Sequence, residues 1–178
     1  MNYSQFDKYN STFAKLGVEN EVKLSINDVI DIHNEMINRY GGLSGIRDEN
    51  LLKSVCNGVY QTYDGIELYD SVIKKASKLL FDFCTYQIFL DGNKRTGLGV
   101  CLALLEENKL ALTLTPTKLY DFVINIANNN CTLKEVIDTI ENNIKIFENK
   151  EETKNEEKFE ERCENRIETK SYLEEYER

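Results

Sequence analysis

A short run of polar and charged residues, 87–97, lies between two apolar stretches and holds the side chains best suited to chemistry. Asp91 and Gly92 predict a sharp turn, and a new helix is expected to begin directly after them. Backbone N–H groups at a helix start point outward and carry partial positive charge. Lys94 and Arg95 place two cations there, where they oppose the helix dipole instead of stabilising it. Two cations at this position make sense if an anion binds at the helix start, and phosphate is the obvious candidate.

Asp91 beside this helix start has two interpretations. Its carboxylate could hold a divalent cation that bridges phosphate oxygens. Alternatively, Asp91 caps the helix while Lys94 and Arg95 face solvent. Spacing alone leaves both interpretations open.

The overall charge argues against one class of function. The chain carries 31 acidic and 22 basic residues, a net charge of −9. A protein this acidic does not bind nucleic acid through its overall field, although a local basic patch is not excluded. We therefore expect no nucleic-acid partner.

The N-terminal residues and the length of the apolar runs indicate the cellular compartment. The first residues lack the basic region and apolar run of a signal peptide, and no stretch approaches the roughly 18 apolar residues of a membrane span. The five cysteines are odd in number and form no CxxC pair, which argues against a disulfide framework or a zinc site. These features predict a cytoplasmic protein with buried thiols and no membrane contact.

Apolar residues recur at helical spacing in several stretches and predict an all-α fold. The expected helices begin, in chain order, at Ser25, Asp48, Asp70 or Ser71, Asn93, Thr117 and Thr132. The first should stop at Gly41–Gly42, and the last should end near Phe147. Residues 60–69 contain the turn dipeptide Asp64–Gly65 and predict a small β-hairpin, and alternating leucines from residue 110 predict a short extended segment.

The chain is expected to divide into three parts. Residues 1–24 form an N-terminal arm, residues 25–147 a helical domain and residues 148–178 a charged tail. In the tail, basic and acidic residues each recur every four positions. Such rows supply ion pairs that each stabilise a helix by about 0.2–0.5 kcal/mol, so a charged C-terminal helix is predicted.

The run 87–97 resembles the motif of the Fic/Doc family, written His-x-Phe-x-Asp/Glu-Gly-Asn-Gly/Lys-Arg. The residues that match it at the correct spacing are Phe89, Asp91, Gly92, Asn93, Lys94 and Arg95. Residues 39–48, followed by Leu51–Leu52, are similar to the end of the first helix in the Doc branch, and Ala76 and Thr96 also suit that branch. The similarity covers roughly residues 22–145.

The resemblance implies an all-helical Fic/Doc-like bundle whose motif loop binds ATP, with Mg²⁺ on Asp91 and with Phe89 as a buried anchor. It assigns nucleotide contacts to Gly92, Asn93, Lys94, Arg95 and Thr96, and catalytic roles to Asn93, Lys94 and Arg95. Fic enzymes transfer AMP to a hydroxyl of a target protein. Doc-like members have lysine at the position of Lys94, which favours transfer of the terminal phosphoryl group.

The resemblance also implies partners. The target of Doc is a threonine of a translation elongation factor. The hairpin, with Thr62, Tyr63, Asp64 and Gly65, would correspond to the flap that pairs with the target backbone. Doc toxins are held by a short antitoxin segment that packs in a groove of the domain. The tail could take that place through an apolar line formed by Phe159, Cys163 and Ile167.

Gln87 departs from the family pattern, which has histidine there as general base for the target hydroxyl. An amide cannot take a proton near pH 7. Three explanations stay open: a natural relative that is slow or non-catalytic, an engineered change, or another base. His33 lies on the inner stripe of the first helix, where helix packing is the stronger interpretation, and Asp91 would not readily accept a proton while holding a metal.

Two functions follow from this departure. One is a Doc-like toxin that moves a phosphoryl, or less favourably an adenylyl, group from ATP to a Ser/Thr hydroxyl and is impaired by Gln87. The other is a non-catalytic module with the same fold that binds a nucleotide or a protein.

Overall fold

The computed structural model describes residues 21–146, which contain six helices. The helices are α1 (Ile26–Tyr40), α2 (Glu49–Gly58), α3 (Val72–Thr85), α4 (Asn93–Glu107), α5 (Pro116–Ala127) and α6 (Leu133–Asn142). Four short strands form two antiparallel pairs: β1 (Thr62–Tyr63) with β2 (Ile66–Glu67), and β3 (Leu110–Leu112) with β4 (Ile144–Ile146). The predicted helical fold with a small β-hairpin is confirmed.

The core is built around α3 and α4. Helix α3 packs against α4, α5 and α6, and α1 packs on the other side of α4. Leu80, Phe83 and Leu104 are all fully buried between these elements. Because the loop between α3 and α4 carries the candidate site, the two central helices fix both of its ends.

Local side chains cap α1 and α6 as predicted. Ser25 Oγ accepts a hydrogen bond from Asp28 N, and Ser25 N donates one to Asp28 Oδ2 at 2.7 Å. Thr132 and Glu135 make the same reciprocal pair at the start of α6. Each cap satisfies N–H groups that have no partner within the helix. These boundaries were readable from sequence because they depend on residues three positions apart.

The predicted end of the last helix was wrong. Helix α6 ends at Asn142, and residues 144–146 form β4 instead of continuing to Phe147. Ile144 and Ile146 pair with Leu112 and Leu110, in the extended segment that the sequence predicted. The spacing of Ile140 and Ile144 suits a helix, but the tertiary pairing with β3 overrides this local preference.

The predicted burial of the thiols is confirmed for three cysteines. Cys56, Cys84 and Cys101 are buried in the helical core, and burial raises the pKa of Cys84 to about 12. The N-terminal arm up to residue 20 and the charged tail, with Cys163, lie outside the described residues. Across residues 21–146, no helix has both the length and the apolar character required to cross a bilayer.

Candidate functional site

The segment that follows α1 positions the motif loop, residues 87–92. Ile46 and Phe89 form an isolated antiparallel bridge. Arg47 N donates to Ile88 O at 2.8 Å, and Leu90 N donates to Gly45 O at 2.9 Å. The side chains of Ile88 and Phe89 are fully buried. The loop is therefore held by backbone pairing on one side and by the core below.

Asn93 closes the motif loop with its side-chain amide. Its Oδ1 accepts a hydrogen bond from Phe89 N at 2.8 Å, and its Nδ2 donates to Phe89 O at 3.0 Å. Nδ2 also donates to Gln87 Oε1 at 3.4 Å. Both amide atoms thus bond to the loop itself. The sequence did not reveal this use of Asn93, because it depends on the fold of the loop.

Helix α4 begins without a side-chain cap from any described residue. Gly92, which precedes it, has φ 70° and ψ 13°, a left-handed conformation that glycine adopts without strain. The first N–H groups of α4 have no partner within the helix and carry the positive end of its dipole. We call residues 91–95 the phosphate turn, because these donors and the exposed Lys94 suit an anion.

Asp91 is held beside the phosphate turn by backbone donors. Gly92 N donates to Oδ1 at 2.6 Å, and Leu43 N donates to Oδ2 at 3.4 Å. Arg95 Nη2 lies 3.8 Å from Oδ1, and the Asp91 side chain is 45% exposed. These contacts orient the carboxylate towards the segment that follows α1 and leave it reachable from solvent.

The donor set around Asp91 fits Mg²⁺ in one specific way. The described residues contain no group of three or more histidine, cysteine, aspartate and glutamate side chains suited to a metal ion. Magnesium in nucleotide sites is commonly held by one or two carboxylates together with phosphate oxygens and water. The half-exposed Asp91 is the one carboxylate that could contribute to such a set beside the phosphate turn within residues 21–146.

Lys94 and Arg95 lie in different environments. Lys94 is exposed, whereas the side chain of Arg95 is only 4% exposed. Arg95 Nη1 donates to Gly41 O at 3.2 Å, and its guanidinium lies 5.9 Å from the centre of the Tyr40 ring. Arg95 therefore ties the start of α4 to the end of α1 and places its positive charge beneath the turn.

His33 lies directly under the motif loop. Its ring stacks on Phe89 with centroids 3.7 Å apart, and its Nδ1 lies 3.1 Å from Thr96 Oγ1. Burial, assisted by the charge of Arg95, lowers the pKa of His33 despite the opposing effect of Asp91. His33 is 1% exposed. A neutral imidazole at this depth cannot reach the hydroxyl of a protein target, so its position does not suit a substitute base.

The predicted hairpin is present between α2 and α3. Thr62 pairs with Glu67 and Tyr63 with Ile66. Asp64 and Gly65 both have positive φ, as the two central residues of a tight hairpin turn require. We call residues 60–69 the flap. The apolar side chains of its strands are exposed, with Tyr63 at 78% and Ile66 at 72%.

Comparisons with known proteins agree with this geometry. Residues 23–105 match the family model described as Fic/DOC family. The chain is also 28% identical over 117 residues to a protein of Escherichia phage P1 named protein kinase doc, and this match spans 66% of the chain and 91% of the phage protein. The matched residues include the segment after α1, the flap, the motif loop and the phosphate turn. Over residues 23–105 the chain is therefore similar to proteins of the Fic/DOC family.

Proposed function

We propose that this domain is a Doc-like phosphotransferase that binds ATP with Mg²⁺ and moves a phosphoryl group to a Ser/Thr hydroxyl of a target protein. The observation that carries the proposal is the uncapped start of α4 on Gly92, flanked by Asp91 and Lys94. An anion is the natural partner of such a helix start. The similarity to a phage protein named as a protein kinase supports the choice of reaction.

The phosphate turn supplies the electrostatics of the proposed site. The N–H groups of Asn93, Lys94 and Arg95 and the Lys94 ammonium would bind the phosphate oxygens, and the buried guanidinium of Arg95 would add positive charge. Asp91 would hold Mg²⁺, which when bound offsets the charge of the phosphates. Asn93 would act by holding the loop in shape through Phe89. Positioning and charge stabilisation make up most of the catalysis of phosphoryl transfer.

Gln87 limits the proposed reaction. Its amide is exposed and hydrogen-bonded to Asn93, at the place where the family motif has histidine. Gln87 can orient a hydroxyl but cannot accept its proton. Loss of a general base costs about 10²–10⁴-fold in rate. We therefore propose an impaired enzyme that keeps its nucleotide site.

The biological setting proposed is a toxin–antitoxin system. The target would be a translation factor that docks on the flap, and an antitoxin segment would cover the domain. The charged tail, residues 148–178, could act as that segment within the same chain. Removal of the tail should then change nucleotide affinity or stability, and an unchanged protein would argue against this role.

A non-catalytic binding module is the second candidate. The observation that favours it is the Gln87–Asn93 hydrogen bond, because it joins two neutral amides where a proton acceptor is needed for transfer. In this account the phosphate turn holds a nucleotide without turnover.

Calorimetry and a Gln87→His variant separate the candidates. We expect the unmodified chain to bind ATP with Mg²⁺, and the variant to transfer ³²P from γ-labelled ATP to a purified bacterial translation elongation factor. Binding without transfer by the variant would favour the binding module. No heat of binding in either protein, with both folded, would overturn both accounts.

A further inference from the structure

Lys75 is a charged residue with a fully buried side chain in the first turn of α3. Its Nζ donates to Glu67 Oε2 at 2.8 Å and to Glu21 Oε2 at 2.5 Å. Glu67 belongs to β2 of the flap, and Glu21 lies in the segment before α1. One ammonium group therefore joins the flap, the N-terminal segment and the helical core. We call these three residues the Lys75 triad.

The N-terminal side of the Lys75 triad is anchored independently. Val22 N donates to Asn108 Oδ1 at 2.9 Å, and Asn108 Nδ2 donates to Val22 O at 2.9 Å. Asn108 is 1% exposed and follows directly after α4. Glu21 is thus the neighbour of a residue whose backbone is bonded to the core. Glu67, in contrast, belongs to a pair of exposed two-residue strands. The flap should therefore become more mobile than the N-terminal segment when the ion pair breaks.

The root of the flap lies over the same charges. The Nζ atoms of Lys75 and Lys23 lie 5.7 Å and 5.0 Å from the centre of the Tyr60 ring. Leu68 N donates to Gln61 O at 3.0 Å, which closes the base of the flap. Lys75 therefore contacts the flap at two places: strand β2 through Glu67, and the base of the flap through the Tyr60 ring.

The charges of the Lys75 triad are unequal. Burial lowers the pKa of Lys75, but the hydrogen bonds that Lys75 donates to Glu21 and Glu67, together with the charges of these carboxylates, outweigh that effect and raise the pKa overall, so the lysine is charged. Two carboxylates converge on one cation. Removal of the cation would leave two like charges facing each other at a partly buried position, where their repulsion is poorly screened.

We propose that Lys75 is a positioning residue that fixes the flap on α3 and thereby sets how the target segment docks. The inference rests on the proposed role of the flap as the target-docking element. With Lys75 in place, Tyr63 and Ile66 are presented to the target from a fixed hairpin. Without it, Glu21 and Glu67 repel each other and the flap moves off the core.

The test uses the full chain with Lys75→Met alone and combined with Glu21→Gln and Glu67→Gln. Amide hydrogen exchange of residues 60–69 is measured without ligand. We expect about tenfold faster exchange in Lys75→Met, equivalent to about 1.4 kcal/mol. The triple variant has no charges left to repel, so it should recover the part of the protection that repulsion removes, while the part that depends on the Lys75–Glu67 ion pair stays lost. The matched control is Lys53→Met, which breaks the exposed Lys53–Glu49 pair and should leave the flap unchanged.

Transfer kinetics in the Gln87→His background give the second readout. With a purified bacterial translation elongation factor as target, Lys75→Met should raise KM for that protein about tenfold. The KM for ATP should stay unchanged, because the phosphate turn is intact. A general loss of structure would move both constants. If Lys75→Met does not fold, Glu67→Gln is used instead, since it removes the charge that ties the flap to Lys75 while the Lys75–Glu21 pair remains.

Each outcome decides the proposal. Flap exchange that stays at the wild-type level in a folded Lys75→Met or Glu67→Gln chain would overturn it. A triple variant no better protected than Lys75→Met would also overturn the repulsion argument. A loosened flap with an unchanged KM for the target protein would remove Lys75 from target docking. A loosened flap in a chain that transfers nothing and binds no ATP would instead count against the proposed function.

Discussion

The carboxylate of Asp91 occupies the space that a Cβ atom on Gly42 would fill. Gly42 has φ +113°, and the next residue, Leu43, donates its backbone N–H to Asp91 Oδ2 at 3.4 Å. The absence of a side chain at residue 42 thus lets the segment after α1 close around the proposed metal ligand. The orientation of Asp91 depends on a glycine 49 positions earlier in the chain.

Gly42→Ala should therefore weaken ATP binding in the presence of Mg²⁺, because the new methyl group displaces Asp91. Gly41→Ala is the matched control: Gly41 also has positive φ, but a Cβ there meets nothing within 4 Å. Both variants should lose about 1 kcal/mol of stability from backbone strain. Calorimetry should show at least a tenfold loss of affinity in Gly42→Ala alone. Equal affinities in the two variants would contradict the prediction.

Asn93→Ala should open the motif loop. The substitution removes both hydrogen bonds to Phe89 and leaves buried backbone groups without partners, at a cost of about 1–3 kcal/mol. Urea unfolding measures the loss, and hydrogen exchange at residues 88–90 locates it. The control is Asn142→Ala, which removes an exposed bond to Asp138 O on α6. Similar losses in the two variants would show that the loop does not depend on Asn93.

His33 should make stability depend on pH near neutrality. The folded protein lowers the pKa of this histidine below its ordinary value of 6.5, so the unfolded chain binds its proton more readily. The free energy of unfolding is therefore unaffected by the titration of this histidine above pH 6.5. Below pH 6.5 it falls, by up to about 1.4 kcal/mol per pH unit. His33→Phe keeps a ring against Phe89 and removes the titration. Urea unfolding at pH 7.5, 6.5 and 5.5 should show a shallower pH dependence in the variant, and parallel curves for the two proteins would exclude this effect.

Lys94 should influence which group is transferred. In the Gln87→His background, Lys94→Gly introduces the residue that AMP-transferring Fic enzymes have at this position. We expect label from α-³²P ATP to enter the target protein, with less label from γ-³²P ATP. Lys53→Gly removes an exposed lysine on α2 and serves as the control. An unchanged preference for γ-label would show that Lys94 does not orient the nucleotide.

Contacts between residues close in sequence were predictable. The capping pairs Ser25–Asp28 and Thr132–Glu135, and the hairpin turn at Asp64–Gly65, each need only three or four neighbouring residues. Their hydrogen bonds form whenever the local backbone adopts the required shape. The start of α4 after Gly92 belongs to the same group.

The burial of Arg95 could not be read from sequence. Lys94 and Arg95 are adjacent cations, yet one is exposed and the other donates to Gly41 O across 54 positions. The stack of His33 on Phe89 and the end of α6 at Asn142 could not be predicted from the sequence either. Each depends on which distant residue fills the neighbouring space.

The sequence by itself determined the helical elements, the hairpin and a turn at residues 91–95 suited to an anion, because hydrogen bonding and periodicity over a few residues specify them. Only the tertiary structure decided that Asn93 and Arg95 bond inward, that Asp91 fills the space beside Gly42 and that Lys75 supports the flap. These arrangements follow from the packing of α1, α3 and α4. Burial removes water from the polar side chains, so each must bond to whichever group the fold places beside it, and the sequence does not show which group that is.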